Sequence, residues 1–148
     1  MKFFTREWWE NGSENAASVF QRYASYLKSV ESQLPLELLR LESEHTLHDS
    51  EVKGVLSNFD ERTLSMVLHG WDQQLQHPVH YTLHFSGVSY FEQVLPQQEY
   101  VESELGDLGY WECEVLDSQV EVRMLFASFA TFRIVFTGFG FEHARRGA

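Results

Sequence analysis

The hydrophobic pattern of this chain changes period once, near residue 51, and that change limits the folds open to it. Before it, Phe20, Tyr23, Leu27, Val30 and Leu34 recur at spacings of three and four, which places them on one face of a helix running from about Ser13 to Ser32. Asn11-Gly12-Ser13-Glu14 offers Asn11 as the N-cap with Glu14 three positions on, a capping-box spacing. Pro35 interrupts this helix and suits the first turn of a second, short one, where Leu36, Leu38, Leu39 and Leu41 form a broad apolar surface before His45.

From about Glu51 onward the period is two, the signature of strands with one buried face. Leu64, Met66 and Leu68 share one face, as do Tyr81, Leu83 and Phe85, with His80, Thr82 and His84 opposite. Trp111, Cys113 and Val115 alternate with Tyr110, Glu112 and Glu114, the latter pair reading as a solvent face. Asp117-Ser118 then turns the chain into Val120, Val122, Met124 and Phe126, a hairpin. Phe132, Ile134 and Phe136 form a last long strand, but Phe139 and Phe141 fall on the opposite parity, which predicts a bulge at Gly138 or Gly140. Between Glu92 and Asp107 the pattern lapses, and this stretch reads as a connecting loop or irregular helical excursion. The expected architecture is α+β: two N-terminal helices packed on one antiparallel sheet of five or six strands. A chain of 148 residues suits a single domain over 1–148, mainly helical over 1–50 and mainly strand over 51–148.

Charge narrows the partners. The net charge is −11, and residues 63–122 hold ten acids with no Lys or Arg, whereas 123–148 are net positive. Phosphate backbones and anionic lipid would repel such a chain, so nucleic acid and membrane are not expected partners, and a basic protein is. With no long apolar run, no leader pattern and a single cysteine, Cys113, the expected compartment is the reducing cytoplasm.

Met1-Lys2-Phe3-Phe4-Thr5-Arg6-Glu7-Trp8-Trp9, the Leu47-His48-Asp49-Ser50-Glu51-Val52 step and the strand Tyr81-Thr82-Leu83-His84-Phe85-Ser86-Gly87-Val88 together resemble an uncharacterised family of small bacterial proteins. Its members open with Met-Lys-Tyr/Phe-Phe-Thr-Lys/Arg-Glu and close with a Phe-rich strand. The resemblance implies an α+β bacterial cytoplasmic protein and carries no activity or catalytic residue with it.

Two sets of residues could bear chemistry. His45, His48, Asp49 and His80 are of the types that hold zinc, although their spacing matches no zinc signature. The structural reading of the same step is that Asp49 accepts from turn amides while His48 donates to a carbonyl at the helix–sheet junction. Cys113 faces inward by parity, a core residue rather than a nucleophile. Glycine-rich nucleotide loops, the Gly-x-Ser-x-Gly elbow, His-Glu-x-x-His and EF-hand spacings do not occur. The second set is aromatic and acidic. Trp8 and Trp9 are adjacent, so both cannot enter the core from one regular element, and exposed indoles anchor interfaces.

The leading expectation is a non-catalytic acidic binding module that recognises, and could neutralise, a basic protein through Glu99, Glu102, Glu104 and Asp107, edged by Trp71 and Tyr110. No cofactor is implied. The alternative is a metal-dependent enzyme built on His45, His48, Asp49 and His80. A homodimer joined through aromatic surface or a free sheet edge is a third arrangement open to such a chain.

Overall fold

The computed structural model describes residues 1–96 and 105–147. Three α-helices, α1 (Arg6–Glu10), α2 (Ala16–Val30) and α3 (Leu36–Glu44), precede eight strands: β1 (Glu51–Asn58), β2 (Thr63–Trp71), β3 (Pro78–Ser86), β4 (Tyr90–Val94), β5 (Leu108–Leu116), β6 (Gln119–Phe126), β7 (Thr131–Phe136) and β8 (Gly138–Arg145). They form two antiparallel sheets of four, in the orders β1-β2-β3-β8 and β4-β7-β6-β5. This corrects the expectation of two helices on a single sheet of five or six strands: the protein is mostly β, and the sheets cover each other.

The physical reason lies in the partner that each apolar face finds. Leu64, Met66, Leu68, Tyr81, Leu83 and Phe85 from the first sheet and Val122, Met124, Phe126, Phe132, Ile134 and Phe136 from the second belong to one buried cluster. Phe85 meets Phe136 edge-on at 4.9 Å between ring centroids. An alternating strand needs only some apolar surface opposite it, and a second sheet serves as well as a helix layer. Burial of these side chains at ~25 cal/mol per Å² is the main favourable term holding the sheets together.

At one corner the two sheets share a pair of bent strands. Ser86 faces Gly138 at the end of the β3–β8 ladder, and Tyr90 faces Val135 at the start of β4–β7. The chain thus turns from sheet to sheet at Gly87–Ser89 on one strand and at Thr137 on the other. That corner, rather than a bulge inside one strand, produces the parity change ahead of Phe139 and Phe141. At the opposite side the sheets meet at a single bridge, where the Leu108 amide donates to Ser50 (2.8 Å) and the Asp49 amide to Leu108 (2.9 Å). This seam between β1 and β5 positions the site described below.

The helices close the remaining openings. Thr5 caps α1, its hydroxyl accepting from the Trp8 amide. Asn11 ends α1 instead of starting the next helix, and α2 starts after Asn15, in a left-handed conformation, so the expected capping box is not formed. α2 buries Val19 and Tyr23, and α3 buries Leu38 and Leu41 after Pro35. β5 is an edge strand, and side chains cover its exposed backbone groups: Tyr23 Oη accepts from the Cys113 amide and Tyr26 Oη from the Val115 amide, both at 2.8 Å. Unsatisfied edge amides invite pairing with another chain, and these tyrosines remove that template on β5.

A second correction concerns Glu112 and Glu114. Glu112 is 0% exposed and takes part in a row of charges that crosses the sheet, Glu92 (β4), Arg133 (β7), Arg123 (β6) and Glu112 (β5), each directly opposite the next. Arg123 pairs with Glu112 (3.3 Å), Glu114 (2.9 Å) and Glu121 (3.6 Å), and Arg133 with Glu121 (2.8 Å) and Glu92 (3.7 Å). The amides of Lys2, Phe3 and Phe4 all donate to Glu112, and the Lys2 ammonium pairs with Glu114. Four acids of the base-free block are thereby neutralised by residues from outside it, Arg123, Arg133 and the N-terminal segment. They do not contribute to an open acidic face.

Candidate functional site

Two concavities lie on either side of the seam. The first is a cavity of ≈ 400 Å³ between the helices and β5, lined by Phe4, Phe20, Tyr23, Glu42, His45, Thr46, His48, Gly109, Tyr110 and Trp111. Its walls are aromatic because the N-terminal segment and α2 lay their rings against the start of β5. Phe4 stacks on Tyr110 at 5.3 Å, and Trp8 and Trp9 meet Tyr110 edge-on, each at 5.1 Å. Both indoles of the Trp8-Trp9 pair are partly buried. Gly109 is required here, since a β-carbon would collide with the six-membered ring of Trp9. Phe20, expected on the buried face of its helix, stands half exposed at the rim.

The polar groups of this cavity come from the end of α3 and the loop after it. Glu42 Oε1 accepts from Tyr23 Oη at 3.1 Å, and among the described residues no Lys, Arg or His pairs with it. Loss of water pushes the Glu42 carboxyl up to about 7, with the Tyr23 hydrogen bond pulling slightly the other way. Burial likewise pushes the Cys113 thiol up to about 12, so it is an inert core group. Burial and the neighbouring His143 ring, 4.5 Å away between centroids, lower the pKa of His45. His48 Nδ1 lies 2.7 Å from the Gly109 carbonyl and must donate there, as the sequence suggested, because a carbonyl only accepts.

The second concavity, ≈ 510 Å³, is lined by Asp49, Glu51, His69, Trp71, Leu75, Asp107 and Arg146. Burial raises the pKa of Asp107, and the charges of Asp49 and Glu51 raise it further, so three carboxylates are within electrostatic reach of one another. Arg146, the guanidinium in this concavity, donates to His69 Nδ1 at 2.9 Å. Trp71 is 37% exposed at the edge.

The residues singled out in the sequence are therefore distributed as follows. Asp107 and Trp71 share the acidic concavity, Tyr110 lies across the seam in the aromatic cavity, and Glu99, Glu102 and Glu104 fall outside the described residues. His45 and His48 line the aromatic cavity, Asp49 the acidic one, and His80 sits beside His69 on the β2–β3 ladder, their rings 5.1 Å apart. Among the described residues no group of three or more His, Cys, Asp or Glu side chains is placed to hold a metal ion. Glu42 was missed. Its signal was a lone acid on the apolar side of a short helix, two positions before the helix end, and helical spacing alone does not show whether such an acid faces water or a cavity.

No protein-family profile matches the chain, and no curated protein does. A solved structure, that of an uncharacterized protein from Neisseria gonorrhoeae, is similar at 13% sequence identity with a TM-score of 0.47, over 66% of this chain and 93% of that one. No described helix is long and apolar enough to cross a membrane.

Proposed function

We propose that this protein is a non-catalytic binding module that recognises a basic protein partner at the β1–β5 seam. The observation that carries this reading is the juxtaposition of an aromatic cavity and an acidic concavity on either side of Asp49 and Leu108. Interfaces draw affinity from a few aromatic anchors and draw specificity and encounter rate from complementary charge. Aromatic groups are supplied by Tyr110, Trp111 and Phe20, and negative charge by Asp49, Glu51 and Asp107. Asp107, whose pKa is raised by burial and then by the charges of Asp49 and Glu51, gains a counter-charge when a partner's cation enters. Glu92, Glu112, Glu114 and Glu121 of the same block are paired with arginines in the ladder, whereas Asp107 is among the acids that line this concavity.

A short lysine/arginine-rich peptide, with its glutamate-substituted counterpart as control, tests the reading by fluorescence anisotropy. Binding of the basic peptide that weakens at high salt, and weakens about tenfold on Asp107→Asn or Trp71→Ala, is the expected result. Equal binding of the two peptides, or indifference to both substitutions in folded protein, overturns it.

A further inference from the structure

The two ends of the seam differ in one respect. The acidic concavity holds several charges, whereas the aromatic cavity holds a single carboxylate, Glu42, set among rings with one hydroxyl as its partner. A carboxylate in such surroundings is costly to ionise in the absence of a counter-charge, and the cavity supplies none from the described residues. Phe20 at the rim and Tyr110 and Trp111 on the wall offer π surface, which attracts cations as well as apolar groups. A volume of ≈ 400 Å³ is within the range of small-molecule sites and accepts a group of one ring or a four- to six-atom alkyl stem.

We propose that the aromatic cavity binds an organic cation, an ammonium or guanidinium group on an apolar body, with the body against Phe20, Tyr110 and Trp111 and the charge on Glu42. The source of that chemistry is either a free amine or a Lys or Arg side chain of a partner. The inference deepens the binding-module reading by naming what this cavity takes, and shares with it the premise that the seam face binds a ligand.

Ligand entry has a proton signature. Near neutral pH the Glu42 carboxyl is only partly ionised, so an arriving cation displaces a proton from it. The other titratable groups around it are Tyr23 on α2, His45 and His48 after α3, and Tyr110 and Cys113 on β5. His45, whose pKa is lowered by burial and by His143, also favours a cation once deprotonated, so its contribution is separated from that of Glu42 by a variant that lacks only the latter.

The experiment uses the full chain, with phenethylamine and its neutral isostere 2-phenylethanol as probes, followed by amide chemical shifts and by titration calorimetry in two buffers of different ionisation enthalpy. Phenethylamine is expected to saturate the cavity, shifting resonances of Tyr110, Trp111 and His48, at least about tenfold more tightly than the alcohol. Glu42→Gln, close to isosteric, is expected to remove most of that preference, abolish the proton release and leave alcohol binding within about twofold. Phe20→Ala, at a half-exposed position, weakens both probes and serves as a second variant. Equal affinity for amine and alcohol, or Glu42→Gln binding the amine as the native protein does, overturns the inference. Competition between phenethylamine and the lysine/arginine-rich peptide assigns the cation to a partner side chain, and lack of competition assigns it to a free amine. Peptide binding that depends on Asp107 with no amine bound at Glu42 refutes this inference and leaves the module reading standing. Amine binding at Glu42 with no peptide bound refutes the protein-partner reading alone.

Discussion

Glu112 is fully buried and Glu42 half-buried, and they are linked through β5: Glu112 lies in the strand, and Glu42 is joined to the adjacent Cys113 through the Tyr23 hydroxyl. Their surroundings are opposite. Glu112 accepts from three N-terminal amides and pairs with Arg123, whereas Glu42 has one hydrogen bond from a tyrosine and faces a cavity. A buried carboxylate whose acceptor sites are all used fixes the structure, here by fastening the first residues of the chain across the sheet. A carboxylate left short of partners is retained at an energetic cost, and such costs are carried where something binds. The same residue type thus marks a structural joint in one place and a candidate ligand contact in the other.

The contrast can be broken or sharpened by experiment. The largest effect is expected from Glu112→Ala, which leaves Arg123 buried without one of its carboxylates and frees three amides. Urea denaturation should show a loss of about 3–5 kcal/mol, typical of breaking one side of a buried ion pair. A loss below about 1 kcal/mol would mean that the N-terminal segment is not held as described.

Next is the pH dependence of stability at Glu42. Its folded value of about 7 lies above the ordinary 4.5, so across that window the folded chain keeps a proton that the unfolded chain has released. Stability from this group is therefore full below pH 4.5 and is lost as pH rises towards and through 7, by up to about 3 kcal/mol for a shift of this size. Native protein minus Glu42→Gln, compared by denaturation from pH 5 to 8, isolates the slope. A difference that stays flat would show Glu42 to be as well solvated as a surface acid.

A smaller effect is expected at the hydroxyl that joins the two sides of the comparison. Tyr23→Phe removes the acceptor of the Cys113 amide and the donor to Glu42, and should cost about 1–3 kcal/mol. Hydrogen exchange at Cys113 should rise with it. Unchanged exchange there would mean that the edge of β5 is protected by other means.

Much of the fold was legible in the side-chain periods. The buried faces Leu64-Met66-Leu68 and Tyr81-Leu83-Phe85, the inward Cys113, the Asp117-Ser118 hairpin and the interruption at Pro35 all follow from spacing, and each is present. Spacing reports which face of a strand is apolar and is silent on what covers it, which is why one sheet was expected where there are two. It failed outright at Glu112 and Glu114. Alternation with apolar neighbours looks the same whether the opposite face meets water or arginines brought from β6 and β7.

The site divides along the same line. Residue types and local order placed Asp107 and Trp71 among candidate contacts, and placed His48 at a helix–sheet junction where its ring donates to Gly109. Glu42 acquired its character only when α2, α3 and β5 closed around it, because desolvation and the absence of a counter-charge are properties of a surrounding volume. What the sequence determined by itself was period, parity and the charge of each segment, all local quantities set by neighbours along the chain. The pairing of the two sheets, the sacrifice of four acids to a buried ladder and the isolation of a fifth in an aromatic cavity depended on contacts between residues up to 112 positions apart, which only the tertiary structure brings together.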